Sequence, residues 1–449
     1  MSLNTRTNRP HARLTFPRTS LRLPSARRSF QILLVLAVPA LFACADRVTD
    51  PTSSLTLSSP SASEDRSNSP NALASVAWQE QGRSLVASHI AVSPIVATRI
   101  YGLLGVAQYG AVVDVDNQLD AEGIVPGDGG RLRLEAQRGA IAAASAAILS
   151  YIFPDAATAL AQRLSAEESN GPRGVQSYFT RGVGVGHAFG NVMIAWANND
   201  GFSDPWTGTI PVGLGFWTRN PAPPGGTLPP IAGPQFGAMT PYFPTSPAQF
   251  LLVPTPPAFG SPAFLVDLAA VSAISAAPRT AAQLDTAVFW NLPPGTISAL
   301  GYWDALASQY IGERHFDERA AAHVFALTNA AGMDAIIGCW QVKFSVFYIR
   351  PYQVDQVHYP ITTPIGQPNH PSYPSGHSCV SAAAAEVIKA FFPEHAATLD
   401  TQVGQAGRSR VLGGIHYQFD ITAGQDLGRG VARAALVYDR ETGLLTGVR

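Results

Sequence analysis

The sequence has 449 residues, of which 46% are hydrophobic and 14% are charged, with 40 glycines and 36 prolines. A chain of this length can bury a large core, and its low charge with abundant glycine and proline predicts long loops over apolar helices. Residues 1–44 hold seven arginines and no acid, so the remainder has 23 basic and 31 acidic residues. That acidic balance excludes nucleic acid as a favoured partner.

Residues 1–44 are typical of an export signal. A basic start precedes the apolar run 30–43, which is too short to span a bilayer. The stretch RRSF from residue 27 resembles a twin-arginine signal, and LFAC ending at Cys44 resembles a lipoprotein cleavage box. We therefore expect an exported protein, either periplasmic or secreted, with a lipid anchor at Cys44 as one interpretation. A buried N-terminal helix is the alternative.

The rest of the chain is predicted to be one α-helical domain behind a linker. Residues 45–72 are rich in Ser and Pro and lack apolar periodicity, which predicts a disordered linker. From residue 73 to 449, apolar residues recur at helical spacing and strand-like alternation is rare. The uncharged stretch 139–153 is shorter than a membrane span and predicts a buried helix. Residues 201–262 form an insert dense in Pro and Gly, which we expect to line or cover an entrance.

The stretch 182–187, GVGVGH, resembles a glycine-rich nucleotide-binding loop. Such a loop requires a preceding strand and a βαβ unit, and the sequence predicts neither. Close helix packing at a helix start, with an ordinary His187, is the better interpretation.

Cys339 and Cys379 are the cysteines that follow the leader. Export permits a disulfide between them. Two small buried apolar side chains are the favoured alternative, because sequence does not define their distance.

Lysine is rare, with only Lys343 and Lys389 in the chain. Lys343 precedes the Arg350-Pro351 pair by seven residues, and a helix returns to the same face after seven residues. The proline predicts that the helix ends there. Since residues 344–349 are mostly apolar and unpaired charges are costly in such surroundings, we expect the two cations to converge on an anion rather than to face solvent.

A second cluster is the stretch YPSGH, residues 373–377, which precedes an alanine-rich helical run. Ser375 and Gly376 are therefore predicted to begin a helix, where free N–H groups and the macrodipole favour an anion. Gly376 permits close approach of the backbone, and His377 can take or give a proton near neutral pH. A capping Ser before a turn Gly is common, so this cluster alone is weak evidence.

A third cluster contains Arg410, His416 and Asp420. The last two are four residues apart, which is one helical turn. A carboxylate bonded to one imidazole nitrogen fixes the tautomer and leaves the other nitrogen as a ligand or nucleophile. A His–Asp pair on a helix surface is the alternative for these two residues.

Together the clusters read Lys-x6-Arg-Pro, Pro-Ser-Gly-His and Ser-Arg-x5-His-x3-Asp. By chance all three arise in this order on the order of once in a million chains or fewer. Residues 343–420 thus resemble the family that joins vanadium-dependent haloperoxidases with type 2 phosphatidic acid phosphatases. The resemblance implies an all-α helical bundle with long Pro/Gly-rich loops and an oxyanion site within residues 340–420. It covers the N-terminal half only weakly.

The resemblance also implies roles for individual residues. His416 supplies the nitrogen that bonds vanadium in the peroxidases or attacks phosphorus in the phosphatases, His377 is the acid/base, and Asp420 orients His416. The oxygens of vanadate, or of phosphate in its place, are then held by His416's neighbours Lys343, Arg350, Ser375, Gly376 and Arg410.

Two further residues favour the peroxidase branch. His370 matches a halide-tuning position at which histidine resembles the bromide-oxidising type, and Trp340 matches an aromatic residue beside it. We also expect no membrane-spanning helix after the leader, unlike the lipid phosphatases. The sequence therefore favours a haloperoxidase that uses hydrogen peroxide as co-substrate. An exported acid phosphatase acting through a phosphohistidine is the alternative, and a binding protein for phosphate or vanadate is a third reading.

Overall fold

The computed structural model of the protein describes residues 73–124, 130–243 and 253–444. The predicted leader with Cys44, the linker 45–72 and positions 244–252 of the insert lie outside these ranges. Within them the chain forms twelve α-helices and a single isolated β-bridge, between Phe216 and Tyr348. The prediction of an all-α fold is confirmed.

The helices fall into two runs separated by the insert. Helices α1 to α5 span Ala74–Ser88, Pro94–Ala121, Gly130–Ile152, Ala157–Ser169 and Gln176–Ala197. Helices α6 to α12 span Pro262–Ala276, Ala281–Phe289, Ser298–Arg314, Glu318–Val346, Gly376–Phe391, Ala396–Leu412 and Gln418–Thr442. The long helices α2 and α9 pack against each other, and α10 packs on both α9 and α12. This arrangement brings the ends of α9, α10 and α11 to one place.

Several helices begin with ordinary capping chemistry. The side chain of Ser93 accepts a hydrogen bond from the Val96 N–H, and a proline follows at the first position of α2. Asp317 caps α9 by accepting from the Ala320 N–H at 2.8 Å. Because these side chains satisfy N–H groups that the helix leaves free, the helix starts are encoded locally in the sequence.

The glycines of the GVGVGH stretch mediate close packing of α5 against α3. A Cβ atom at Gly182 would lie 2.0 Å from the carbonyl oxygen of Ala136, and one at Gly186 would lie 2.2 Å from that of Ala140. The packing interpretation is confirmed, although the stretch lies inside α5 rather than at its start. His187 is exposed on the far side.

Two helices in the described part of the chain, α2 and α9, are long and apolar enough to cross a membrane, judged by length and composition. The bent pair α6 and α7, which turns by 116°, would be a third if counted as one span. In both long helices, 89% of the most apolar window lies inside the fold. Length and composition do not test whether a helix spans a membrane, so the expectation that no membrane-spanning helix follows the leader stays a prediction.

Hydrogen bonds fix the insert 201–262 against α9 at several places. Near the helix end, the Trp217 N–H donates to the Phe347 carbonyl at 2.7 Å. Farther back, the buried carboxylate of Asp334 accepts from the N–H groups of Tyr242 and Phe243 at 2.9 and 3.0 Å. Burial raises the pKa of Asp334 to about 7 despite these two bonds. The insert thereby reaches the end of α9, where the predicted site residues begin.

Candidate oxyanion site

Lys343 and Arg350 converge, but not by the predicted route. Helix α9 ends at Val346 because Phe347 adopts a left-handed conformation with φ of 52°, so Arg350 lies beyond the helix in an extended segment. The prediction that both cations share a helix face was therefore wrong. They meet because the chain folds back: the Pro371 carbonyl accepts from Lys343 Nζ at 2.9 Å and from Arg350 Nη2 at 3.3 Å.

Arg410 adds a third buried cation from the last turn of α11. Its Nε donates to Ser409 Oγ at 2.9 Å and its Nη2 to the Ala287 carbonyl at 3.2 Å. Burial, together with the charge of Arg350, lowers the pKa of Arg410 to about 9. Burial likewise lowers the pKa of Lys343 to about 8. Both shifts reflect positive charge held away from water beside more positive charge.

These three cations lack carboxylate partners. Within the described ranges, none of Lys343, Arg350 and Arg410 forms a salt bridge, and their hydrogen bonds go to carbonyl, hydroxyl, amide and imidazole groups. Asp420 is the one nearby carboxylate whose charge acts on both Lys343 and Arg350. Since buried charge is costly unless compensated, the excess of buried positive charge fits a bound anion.

The start of α10 faces the same place, as the sequence predicted. Ser375 is the N-cap of this helix and its hydroxyl accepts from the Ser378 N–H at 3.4 Å. Gly376 lies so close to α9 that a Cβ atom there would be 3.0 Å from the ring of Trp340. His377 follows, and its Nε2 is buried with no hydrogen-bond partner among the described residues. Burial, and next Arg410, lower the pKa of His377, which favours the neutral imidazole with an unpartnered Nε2.

His416 and Asp420 pair as predicted, although only Asp420 lies within helix α12, which begins at Gln418. His416 Nδ1 lies 2.8 Å from Asp420 Oδ2. The carboxylate accepts this N–H, which leaves the lone pair on Nε2, and Nε2 in turn lies 3.2 Å from the donor Arg350 Nη1. The pair is buried rather than a surface pair, because His416 is 3% exposed and Asp420 is fully buried.

Ser372 is a site residue that the sequence did not reveal. Its hydroxyl donates to Asp420 Oδ2 at 2.6 Å, the same oxygen that accepts from His416 and from the Tyr417 N–H at 3.2 Å. Burial raises the pKa of Asp420 to about 6, and the Ser372 bond opposes that rise. No spacing rule pointed to this serine, because its link to Asp420 crosses 48 positions of sequence.

His370 and Trp340 lie side by side at the edge of the cation cluster. Their ring centroids are 5.0 Å apart with the planes tilted by 40°. His370 Nδ1 lies 3.1 Å from Arg350 Nη2, and burial followed by the charge of Arg350 lowers the pKa of this histidine. The Trp340 indole donates to the Ala232 carbonyl of the insert at 2.9 Å. The structure thus brings the two predicted halide-tuning residues together.

A cavity of about 380 Å³ opens above these groups. His370, Gly376, His377, Arg410 and His416 line it, whereas Lys343, Arg350 and Ser375 lie outside its lining. The insert contributes Ala232 to the wall, and the connection between α7 and α8 contributes Asn291, Pro293 and Pro294. A reacting molecule in this cavity therefore meets three histidines and one arginine, with further cations behind them.

Cys339 and Cys379 lie behind the site on α9 and α10. Both thiols are free and buried. The interpretation of these residues as small buried side chains rather than a disulfide is confirmed, and burial raises the pKa of Cys379 well above its usual range.

Comparisons with known proteins agree with this geometry. Residues 320–443 match the model of the PAP2 superfamily. This chain contains a PAP2 superfamily domain. All the predicted site residues from Trp340 to Asp420 fall within that PAP2 domain, whose boundaries exclude the insert and helices α1 to α8.

Solved structures share the fold over most of the chain. A bacterial vanadium-dependent iodoperoxidase superposes with a TM-score of 0.66 at 22% identity, covering 80% of this chain and 95% of that one. The holo form of a bacterial vanadium-dependent chloroperoxidase superposes with a TM-score of 0.60 at 14% identity, covering 82% and 96%. The PAP2 domain and the N-terminal helices together thus adopt the vanadium haloperoxidase fold.

A curated relative supplies a shorter match. A segment of 57 residues is 42% identical to a non-specific acid phosphatase from Salmonella typhi. It covers 13% of this chain and only 23% of the phosphatase. The likeness to this enzyme is therefore local.

Proposed function

We propose that this protein, an enzyme of the superfamily that includes PAP2 phosphatases and vanadium haloperoxidases, is a vanadate-dependent haloperoxidase. It oxidises halide, with bromide as the first candidate, using hydrogen peroxide to form hypohalous acid. The observation that carries the oxyanion chemistry is the set of three buried cations without carboxylate partners in the described ranges, near His416. The Trp340–His370 ring pair beside them supports the halide assignment.

The residues present fit vanadate. His416 Nε2 holds a lone pair that a metal can accept, and the orphaned Nε2 of His377 is available for an oxygen of the group. When bound, vanadate supplies a Lewis acid that activates peroxide without changing its own oxidation state. Its oxygens would be held by Lys343, Arg350, Arg410, Ser375 and the Gly376 N–H.

The other residues orient groups or move protons. Asp420 keeps the proton of His416 on Nδ1, so that Nε2 remains a ligand. The lowered pKa of His377 keeps its imidazole neutral at physiological pH, ready to take a proton from a bound reactant and return it to the leaving oxygen. His370 presents an imidazole ring to the same space and hydrogen-bonds to Arg350.

An acid phosphatase is the second candidate, and the 42% identity to the Salmonella typhi enzyme over 57 residues favours it. In that reaction His416 Nε2 attacks phosphorus as the P–O bond to the alcohol breaks, and His377 protonates the leaving alcohol after first taking up a proton itself. Water then hydrolyses the phosphohistidine, and His377, neutral again, accepts a proton from that water. The same cations serve both reactions, because each stabilises negative charge on oxygens around a central atom. We further propose that residues 1–44 direct export of the enzyme to the periplasm or beyond, with Cys44 as a candidate lipid anchor.

The test uses protein purified without phosphate and divided into vanadate-loaded and vanadate-free samples. Each sample is assayed for peroxide-dependent oxidation of iodide, bromide and chloride, and for hydrolysis of an aryl phosphate. Halide oxidation that depends on vanadate supports the haloperoxidase. Ester hydrolysis in the vanadate-free sample, without halide oxidation in the loaded one, supports the phosphatase.

Variants tie either activity to the site. His416→Ala is expected to lose vanadate retention and both activities while keeping the helical far-UV spectrum. His358→Ala, which removes an exposed histidine paired with Asp355, is the matched control. An active, vanadate-replete His416→Ala protein would contradict the assignment of the site.

A further inference from the structure

The cavity above the oxyanion site has two chemically different parts. Its floor carries His377, Arg410 and His416. Its walls are apolar and come from separate parts of the fold: Ile95, Ala299, Ile336, Trp340, Ile365 and Val380. A small inorganic anion can interact favourably only with the polar floor. The apolar walls do not stabilise it, because apolar surface does not replace the hydrogen bonds that the ion loses with its hydration water.

The polar groups of the walls are uncharged. Ser93, Thr98, Asn291, Gln367 and Asn369 reach the cavity, whereas no Asp or Glu is found among the described residues that line it. Arg410 contributes a positive charge at the floor. A cationic compound would therefore meet an unfavourable potential, and a neutral or anionic one would not.

We infer that this cavity binds a small organic compound with an apolar, aromatic-sized body and directs its reacting group towards His377 and His416. The volume of about 380 Å³ falls within the range of about 300–1,000 Å³ usual for small-molecule sites. The neighbouring rings of Trp340 and His370 in the lining suit a flat partner. The inference rests on the proposed function: the compound is the organic acceptor of a haloperoxidase, or the alcohol part of an ester for a phosphatase.

Phosphonates test the binding directly, because the anion takes the oxyanion position and the organic group enters the cavity. The affinities of methylphosphonate and phenylphosphonate are measured by calorimetry on the full, vanadate-free chain. Phenylphosphonate is expected to bind at least about tenfold more tightly, since burial of an aromatic ring supplies more than the free energy of a factor of ten.

Two variants locate the effect. Ala299→Phe fills the cavity from α8 and is expected to remove the preference for phenylphosphonate while leaving methylphosphonate affinity unchanged. Ala397→Phe, at an exposed alanine on α11, is the matched control and is expected to keep the preference. If Ala299→Phe does not fold, Ile95→Ala replaces it: the enlarged cavity is expected to shift the preference from phenyl- to naphthylphosphonate.

The possible outcomes distinguish failure of the organic site from failure of the proposed function. Equal affinities of the two phosphonates in the wild type, or an equal loss of both in Ala299→Phe, overturns the organic site and leaves the oxyanion site standing. Failure of every phosphonate, phosphate and vanadate to bind overturns the proposed function and this inference together.

Steady-state kinetics distinguish an organic acceptor from the alcohol part of a phosphate ester. Saturation by a monocyclic phenol, with a product ratio different from that of free hypobromous acid, identifies an acceptor. A lower KM for aryl than for methyl phosphate identifies an ester. In the first case Ala299→Phe is expected to lose saturation by the phenol, whereas Ala397→Phe is expected to keep it.

Discussion

Buried charge is handled in opposite ways in two regions of this molecule. In the helical core, Arg99 on α2 pairs with Asp200 at 2.6 Å, and Arg83 on α1 pairs with Asp304 on α8, all four side chains being nearly inaccessible. At the site, the buried Lys343, Arg350 and Arg410 have no carboxylate partner in the described ranges. The fold neutralises these two buried cations of the core, whereas the proposed oxyanion would neutralise those at the site.

The difference lies in the partners of the buried charges and not in their burial. Arg99 and Arg350 are similarly buried, so burial alone does not distinguish them. Their partners do: the first donates to a carboxylate and a carbonyl, and the second to carbonyls and two histidines. The following experiments test this contrast, from the largest expected effect to the smallest.

The core pair is expected to carry stability and no anion affinity. Arg99→Ala leaves Asp200 buried and uncompensated, which is expected to lower the free energy of unfolding by about 3–5 kcal/mol. Denaturant unfolding measures this, and calorimetry with phosphate is expected to show unchanged affinity. Arg314→Ala, which breaks an exposed pair with Glu394, is the control with an expected loss of about 0–1 kcal/mol. A parallel loss of phosphate binding in Arg99→Ala would erase the contrast between the two regions.

An oxyanion is expected to stabilise the fold by supplying the missing negative charge. Vanadate at 100 times its dissociation constant should raise the free energy of unfolding by about 2.7 kcal/mol, by mass action on the folded state. The measurement is thermal or denaturant unfolding with and without vanadate, with chloride at equal ionic strength as control. The same increment is expected in Arg99→Ala, whose site is intact. No increment at saturating vanadate in the wild type would argue against a preformed site.

Ser372→Ala is expected to weaken oxyanion binding about 10–100-fold, the usual effect of losing a residue that orients a metal-binding histidine. Its hydroxyl bond favours the ionised form of Asp420, so its loss also raises the pKa of that carboxyl. The acid limb of the pH profile should therefore move to higher pH. Ser345→Ala, which removes a hydroxyl bonded to the Val342 carbonyl, is the control. A loss of affinity with an unmoved acid limb would mean that Ser372 is merely structural.

Vanadate affinity is expected to be greatest between about pH 6 and 8. Below about pH 6, the pKa of Asp420, this carboxylate gains a proton and no longer accepts a hydrogen bond from His416 Nδ1. The imidazole proton can then move to Nε2, which removes the lone pair that would bind the metal. Above a pKa of about 8, Lys343 loses its proton and its charge. Calorimetry with vanadate measures the acid limb, because its metal centre needs the Nε2 lone pair, and calorimetry with sulfate, which keeps its charge over this range, measures the loss of the Lys343 charge at higher pH. An affinity that is flat from pH 5 to 9 would contradict both assignments.

His370→Ala is expected to give the smallest effect. The imidazole contacts the Trp340 ring and hydrogen-bonds to Arg350, but it carries no charge that would neutralise the anion. Its loss should therefore change the kcat/KM for halide by less than about tenfold. Aryl phosphate hydrolysis should remain. Steady-state kinetics with iodide, bromide and chloride measure the change. An equal loss of halide oxidation and ester hydrolysis would show that His370 supports the fold of the loop instead.

The site was predictable from the sequence where local chemistry determines it. The start of α10 at Ser375 and Gly376 followed from capping, and the pairing of His416 with Asp420 followed from their spacing. The reason for the convergence of Lys343 and Arg350 was wrong, because a left-handed Phe347 ends α9 before Arg350. The expectation that no helix after the leader spans a membrane stays a prediction, because length and composition do not distinguish lipid from a protein core as the apolar surroundings of α2 and α9.

The sequence by itself determined the helical class, the identities of the polar groups and the order of the three clusters. Only the tertiary structure decided which charges are paired, that Ser372 reaches Asp420, and that Ile95 and Ala299 join the cavity over the site. The physical reason is the distance along the sequence over which each kind of interaction acts. Capping and helical spacing act over a few residues and are encoded locally, whereas the compensation of a buried charge depends on side chains brought together from distant parts of the chain.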